Sequence, residues 1–459
     1  MTDPRPDERM SDIDALVWAV EHEPRNRTTI AALARFDRPL DRAALRHRVD
    51  RASRVVARLR QRVVQDPSGL GAPRWSVDPE FRLAHHLRWL QLSDGSDQNL
   101  VEVVRDLIVQ PFDRAHPLWE FTVVSGLSDG GSALLLKAHH AVSDGVGGVE
   151  MMLELFDLEP IAAPERAELP EAPVAADETI TVADSVKEEA ARWLGTARSA
   201  LDALTSPRSA DDLVGDARRL GRTLGAAYQM FRPGEAASGV PTGRSAGLEL
   251  RFFAVDLDDL KAAGRRVGGT INTAFVAAVA LGVGDHHEIV RDGTAGPLRV
   301  SIPISTRTDD EQGGNHWTPA RIEVEMADGV GPDEVAAEVL HASAGLKDDP
   351  SHTLVPVLAT ALRPIPDSTT ASLFGTVSSG IDIAASNVPG SPIPLYLCGA
   401  PVRELIPFGP LSGSAVNVTL MSYAGTAHIG VAADPAAIDD VEGLTRSLRD
   451  AFTAVIKGS

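Results

Sequence analysis

Two adjacent histidines, His139 and His140, end an apolar run in the stretch LLLKAHHAVSDGVGG (residues 134–148), and Asp144 follows four residues after the second. A histidine with an ordinary pKa near about 6.5 is mostly neutral at neutral pH, so it can take a proton from a hydroxyl or amine nucleophile. Neighbouring side chains on a strand diverge, so one ring of the pair can face a cavity while the other supports the loop. Asp144 can fold back in a tight turn to orient a ring or pair with an arginine. Gly145, Gly147 and Gly148 remove side chains where a narrow ligand would pass, or simply permit positive φ. A metal centre needs three or four convergent ligands, and His116 and His428 lie far off in sequence without ligand spacing. Ser143 stands beside the pair, but no Gly-x-Ser-x-Gly elbow surrounds it. The residues point to acyl or group transfer with a histidine base and no covalent enzyme intermediate.

The chain holds two other His-His pairs, and both read as structural. His85-His86 lies in FRLAHHLRWLQL, whose alternation predicts a strand with the two rings on opposite faces. His286-His287 closes the helical pattern NTAFVAAVALGVGDHH, where histidine complements the helix dipole.

The elements that position the first pair follow from periodicity. SALLLKAHH has no polar face, which predicts a central strand buried on both sides. GGVEMMLELF after the glycines reads as a helix, TTIAALARF as a strand, and MSDIDALVWAVEHE as a helix capped by Ser11 or Asp12. A helix from about Asp41 and later strands and helices interleave with these, which predicts an α/β fold. Residues 159–180 shift to proline, alanine and acid, the composition of a linker or exposed excursion. Two helical stretches follow, VADSVKEEAARWLGTARSALDAL and ADDLVGDARRLGRTLGAAYQMF. A second αβ region begins near Leu248. The division is therefore 1–158, a linker with two crossover helices at 159–245, and 246–459.

Charge and composition narrow the partners. Against 44 basic residues stand 64 acidic ones, a net charge of −20, which repels nucleic acid and bare anionic membrane. An anionic substrate then needs a local basic patch, for which Arg299, Arg307 and Arg403 are candidates. The single cysteine, Cys398, excludes an intrachain disulfide and a cysteine-rich zinc module, and fits a reducing compartment. The start MTDPRPDERM lacks the basic and apolar regions of a signal peptide, and the longest apolar runs are about half what spans a bilayer. These features predict a cytoplasmic protein.

HHAVSDG matches the HHxxxDG signature of the CoA-dependent acyltransferase superfamily, which includes chloramphenicol acetyltransferase-like enzymes and peptide-synthetase condensation domains. Other segments narrow the resemblance to bacterial wax ester synthase/diacylglycerol acyltransferases. MSDIDALVWAVE resembles their N-terminus, PFDRAHPLWE (111–120) their PLDRxRPLWE, and TINTAFVAAVA from Thr270 their TVNDVVLAAVA helix. IPISTR from Ile302 resembles their PVSLR strand, SNVPGS from Ser386 their SNVPGP loop, and VNVTLMSYAGTAHIGVAADP their closing segment. The matches run in family order from residue 10 to the C-terminus.

The resemblance implies two chloramphenicol-acetyltransferase-like αβ domains with mixed sheets, joined by a helical crossover, with an active-site tunnel between them. It implies acyl-CoA as co-substrate, no permanently bound cofactor and no metal, and a long-chain alcohol or diacylglycerol as acceptor. Peripheral contact with membrane or lipid droplets fits the same picture. His140 would be the base, His139 and Asp144 would hold the loop, and Gly145 would leave room for the pantetheine arm. Asn272 is the candidate donor to the thioester oxygen, with helix capping as its plainer reading. Pro117, Leu118, Trp119, Ser305, Arg307, Ser386 and Asn387 are the further substrate-binding candidates. Departures from the family pattern include Thr273 for an aspartate, Thr306 for leucine, Ser391 for proline, and Phe112, Ala115 and His116 in the PLDRxRPLWE segment.

Overall fold

The structure is a computed structural model. It describes residues 7–69, 71–142, 145–161, 166, 168–174, 181–188, 190–191, 194–195, 240, 243–291, 296–305, 317–326, 329–344, 346, 367–378 and 380–458. Asp144, Ser143, Thr306 and Arg307 lie outside these residues. So does most of the expected pair of crossover helices, of which 182–188, 190–191 and 194–195 are described and helical.

Two six-stranded sheets form the body. The first has the order β12 (Tyr396–Leu397), β13 (Ala400–Phe408), β2 (Thr29–Phe36), β7 (Ser132–His139), β6 (Trp119–Ser125), β5 (Leu87–Gln91). The second runs β10 (Trp317–Val324), β9 (Leu298–Ser305), β11 (Ile383–Val388), β14 (Val416–Tyr423), β15 (Thr426–Ala433), β8 (Glu249–Asp256). Both are mixed: β5 and β6 are parallel, and β11 is parallel to both β9 and β14. A small sheet of β1 (Asp7–Arg9), β4 (Arg74–Val77) and β3 (Gln61–Val64) flanks the first. The architecture is the mixed two-sheet α/β fold expected.

β7 is buried along all eight residues, as its lack of a polar face demands, and lies between β2 and β6. Helix α1 (Asp12–Val20) begins at Ser11, whose hydroxyl accepts the Asp14 N–H, and stops at Glu21. Helix α2 (Arg42–Val55) is capped by Asp41 through the Ala44 N–H. The stretch around His85-His86 differs from expectation. Residues Leu83–His86 form one helical turn, α3, and only Leu87–Gln91 is strand. The turn lets the buried His86 ring stack between Phe81 and Trp119, at centroid distances of 5.1 and 4.5 Å, and donate from Nδ1 to the Trp119 carbonyl at 2.9 Å. That packing outweighs the local alternation.

Sheet membership departs from chain order at one point. β12 and β13 come from the C-terminal stretch yet complete the first sheet, β13 pairing with β2 from Val402↔Phe36 to Phe408↔Ala31. On its way β13 crosses β15 so closely that a Cβ on Gly430 would lie 1.6 Å from the Pro407 carbonyl oxygen; a glycine is required there. A shared apolar cluster fills the seam, with Leu33, Val104 and Leu135 meeting Leu250, Phe408 and Ala432.

The remaining helices are α4 (Asp97–Val109), α5 (Gly145–Leu155), α6 (Leu257–Arg266), α7 (Ile271–Arg291), α8 (Pro332–Ser343), α9 (Asp367–Ser378) and α10 (Val441–Lys457). Among the described residues no single helix is long and apolar enough to cross a membrane.

Candidate active site

His139 is the last residue of β7 and is fully buried. Its backbone N–H donates to the Leu118 carbonyl at 3.0 Å, and the next N–H, of His140, donates to the Thr28 carbonyl at 3.1 Å. Strand pairing on both sides thus fixes where the chain leaves the sheet. The Val142 N–H closes the turn onto the His139 carbonyl at 2.9 Å.

The His139 ring settles its own tautomer. The Ala141 N–H donates to Nδ1 at 3.1 Å, so that nitrogen must carry the lone pair. The proton is then on Nε2, which lies 2.9 Å from Glu21 Oε2 and 3.1 Å from Thr28 Oγ1. Glu21 also accepts the Thr28 N–H at 3.1 Å and the Thr28 hydroxyl at 3.3 Å, and Arg114 stands 3.7 Å away. Burial pushes the Glu21 carboxyl upward, but the hydrogen bond from His139, the Thr28 N–H and the Arg114 charge together hold it below its ordinary value. Arg114 lies over the Trp18 ring at 4.1 Å, and Trp18 and Phe112 flank His139 at 5.8 and 6.4 Å between centroids.

His140 follows just past the strand end and keeps part of its surface open. Desolvation, and then the neighbouring His139, push its pKa down to about 4, so the ring is neutral throughout the neutral range. A neutral imidazole at a sheet end, on a braced turn, can take up a proton. Gly145 follows the turn as the first residue of α5.

The other expected site residues fall into two groups. Pro117, Leu118 and Trp119 are buried, and their contacts are those of core: Trp119 donates from Nε1 to the Leu59 carbonyl at 2.8 Å, and Leu118 receives His139. They shape the site by holding β7. Ser305, Ser386 and Asn387 belong to the second sheet. Ser305 ends β9, while Ser386 and Asn387 are the last but two and last but one of β11, paired with Thr419 and Leu420 of β14. They are strand rather than the plain turn their sequence suggests; the turn is Pro389 and Gly390. Because β9 and β11 are parallel neighbours, these residues share the C-terminal end of that sheet, where α/β folds place ligands. Asn272 is half-buried in the first turn of α7. Next to it Thr273 accepts the Thr270 N–H at 3.2 Å, the reach-back bond of a capping box. A hydroxyl thus does locally what the family's aspartate at this position is suited to do.

The expected arginine patch is not simple. Arg299 lies in β9 beside Glu323 at 3.7 Å, and Arg403 in β13 beside Asp37 at 3.6 Å; they are on different sheets. The two decoy pairs are buried, except for His85. Among the described residues no group of three metal-ligating side chains is placed to hold an ion. Glu21, Thr28 and Arg114 are the residues that sequence reasoning did not single out. The available signal was that Glu21 closes the segment MSDIDALVWAVE and Arg114 sits in PFDRAHPLWE, the two segments that now meet at His139.

A His-His pair of an HHxxxDG motif at the end of a central strand, with two mixed sheets and a C-terminal strand that completes the first of them, fits the CoA-dependent acyltransferase class. The chain matches the wax ester synthase/diacylglycerol acyltransferase catalytic domain over residues 10–275 and the WS/DGAT C-terminal domain over 314–455. It belongs to the wax ester synthase/diacylglycerol acyltransferase family. A Mycobacterium tuberculosis H37Rv protein provisionally named a diacylglycerol O-acyltransferase is 32% identical over 464 residues, covering 99% of this chain and 92% of that one. A probable diacylglycerol O-acyltransferase of the same strain is 26% identical over 453 residues, covering 93% and 91%. The fold is similar to the wax ester synthase/diacylglycerol acyltransferase from Marinobacter aquaeolei VT8, with TM-score 0.63, 19% identity, and 98% of each chain covered. It is also similar to the first condensation domain of the calcium-dependent antibiotic synthetase, with TM-score 0.59, 17% identity, and 99% and 97% covered.

Proposed function

We propose that this chain transfers a long-chain acyl group from acyl-CoA to an alcohol acceptor, a diacylglycerol or a fatty alcohol, giving a triacylglycerol or a wax ester. The observation that carries the reading is the neutral, partly open His140 on a turn braced by His139. His140 takes the proton of the acceptor hydroxyl as the oxygen attacks the thioester carbonyl. The tetrahedral intermediate then collapses, and the CoA sulfur leaves with that proton returned from His140. No bond to the enzyme forms.

The low pKa of His140 bears on timing. An imidazole that resists charging in the resting site gains its proton only as negative charge develops on the thioester oxygen beside it, so attack and proton transfer run together. Asn272 is the proposed donor to that oxygen. Acyl-CoA is a co-substrate that binds and leaves, reaching His140 through a passage between the two sheets, with Gly145 leaving room for the pantetheine arm. Work at a lipid surface from the cytoplasmic side, as a peripheral protein, belongs to the same proposal, and liposome flotation tests it.

The activity test is direct. Purified protein with palmitoyl-CoA and either hexadecanol or diacylglycerol should release free CoA in proportion to acceptor. No acceptor-dependent release across a panel of alcohols refutes the proposal.

A further inference from the structure

We infer that Glu21 is a positioning residue for the reaction: it selects the His139 tautomer on which the turn carrying His140 depends. The inference rests on the reading of His140 as base. Glu21 touches neither substrate nor reacting atoms and acts through His139.

The geometry leaves His139 one useful tautomer. With the proton on Nδ1, that N–H and the Ala141 N–H, now 3.1 Å from Nδ1, would be two donors pointed at each other. The turn would have to open, and His140 would swing with it, since it lies between His139 and the two residues, Ala141 and Val142, whose N–H groups bond back to His139. Thr28 alone cannot prevent this, because a hydroxyl donates or accepts and so satisfies either state of Nε2. A carboxylate only accepts. Glu21 Oε2 at 2.9 Å therefore favours the proton on Nε2, and Glu21 Oε1 at 3.3 Å takes the Thr28 hydroxyl proton, turning the Thr28 lone pairs toward the ring.

The placement of Glu21 is costly on other grounds. It is the C-cap of α1, where the helix dipole opposes an anion, and its side chain is only 15% exposed. Packing alone would favour a neutral residue at such a position. Instead the carboxylate is supported by the Thr28 N–H at 3.1 Å and Arg114 at 3.7 Å. Arg114, resting on Trp18, thus serves the pair of histidines from a segment distant in sequence.

The test uses the full chain, Glu21→Gln, and nitrogen-15 spectra of histidine-labelled protein, which separate the two tautomers. Glutamine keeps an acceptor oxygen but can also turn its NH2 toward Nε2. The wild type should show His139 protonated on Nε2 alone, and Glu21→Gln a mixture, with unchanged melting temperature. In the CoA-release assay kcat should fall between about ten- and a hundredfold while KM for acyl-CoA stays within about twofold. A wild-type His139 protonated on Nδ1 overturns the inference, as does a Glu21→Gln variant with one Nε2–H tautomer and full kcat. If the wild type turns over no substrate, the functional reading fails by itself, and the tautomer spectra still decide the role of Glu21.

Discussion

Acid should weaken this protein well before its carboxylates titrate, because three histidines are held neutral by burial. The pKa values of His86, His140 and His428 are each pushed down to about 4, with desolvation the first cause in every case. Against an unfolded value near about 6.5, each folded-state pKa is depressed, so the unfolded chain binds more protons wherever pH lies between the two. Stability is therefore greatest above about 6.5 and is lost as pH falls toward 4. One such histidine changes the unfolding free energy by up to about 1.4 kcal/mol per pH unit, and three together by up to about 4 kcal/mol per unit. The measurement is urea unfolding, followed by tryptophan fluorescence at half-unit steps from pH 7.5 to 5. Stability should begin to drop near pH 6.5 and steepen below it, and His428→Gln should remove about a third of the slope. An unfolding free energy that is flat from pH 7 to 5 refutes the reasoning. In the protein that remains folded, activity should stay level through pH 6.5 and fall only on approach to 4, since His140 must be neutral to act. An acid limb centred near 6.5 in folded protein would show that His140 is not desolvated.

Two further substitutions test the frame around the site. Gly430→Ala forces a methyl into the 1.6 Å gap to the Pro407 carbonyl; with backbone on both sides the cost should exceed about 3 kcal/mol, and a variant within about 0.5 kcal/mol of wild type by urea unfolding contradicts the close crossing. Thr273→Val removes the acceptor of the Thr270 N–H without changing shape and should cost about 0.5–1.5 kcal/mol, whereas Thr273→Ser should cost less; equal losses in the two variants argue against the reach-back bond.

The parts legible in the sequence are those whose cause is local. β7 declared itself by having no polar face, and Ser11 and Asp41 by standing where a helix needs a side-chain acceptor. The strand end that carries His139 and His140 was legible because an apolar run, paired rings and glycines coincide within a few residues, whereas the choice of His140 as base came from the family resemblance. Other features depend on partners distant in sequence. Nothing within residues 396–408 says that β12 and β13 will pair with a strand from the N-terminal stretch, since edge pairing is decided by which backbone is left open. His85-His86 misled because alternation is also consistent with a helical turn when a ring finds a stacking partner such as Trp119. Glu21 looked like an ordinary helix end until His139, brought in by β7, gave its carboxylate a ring to hold. The strand character of Ser386 and Asn387 was hidden behind the turn-forming Pro389 and Gly390.

The central claim is that His140 accepts the acceptor proton. Its most direct test compares wild type and His140→Ala for acceptor-dependent CoA release from palmitoyl-CoA, with matched melting curves to show both are folded. Removing a general base should lower kcat by about 10²–10⁴-fold, with KM for acyl-CoA little changed. Full activity in His140→Ala would contradict the account.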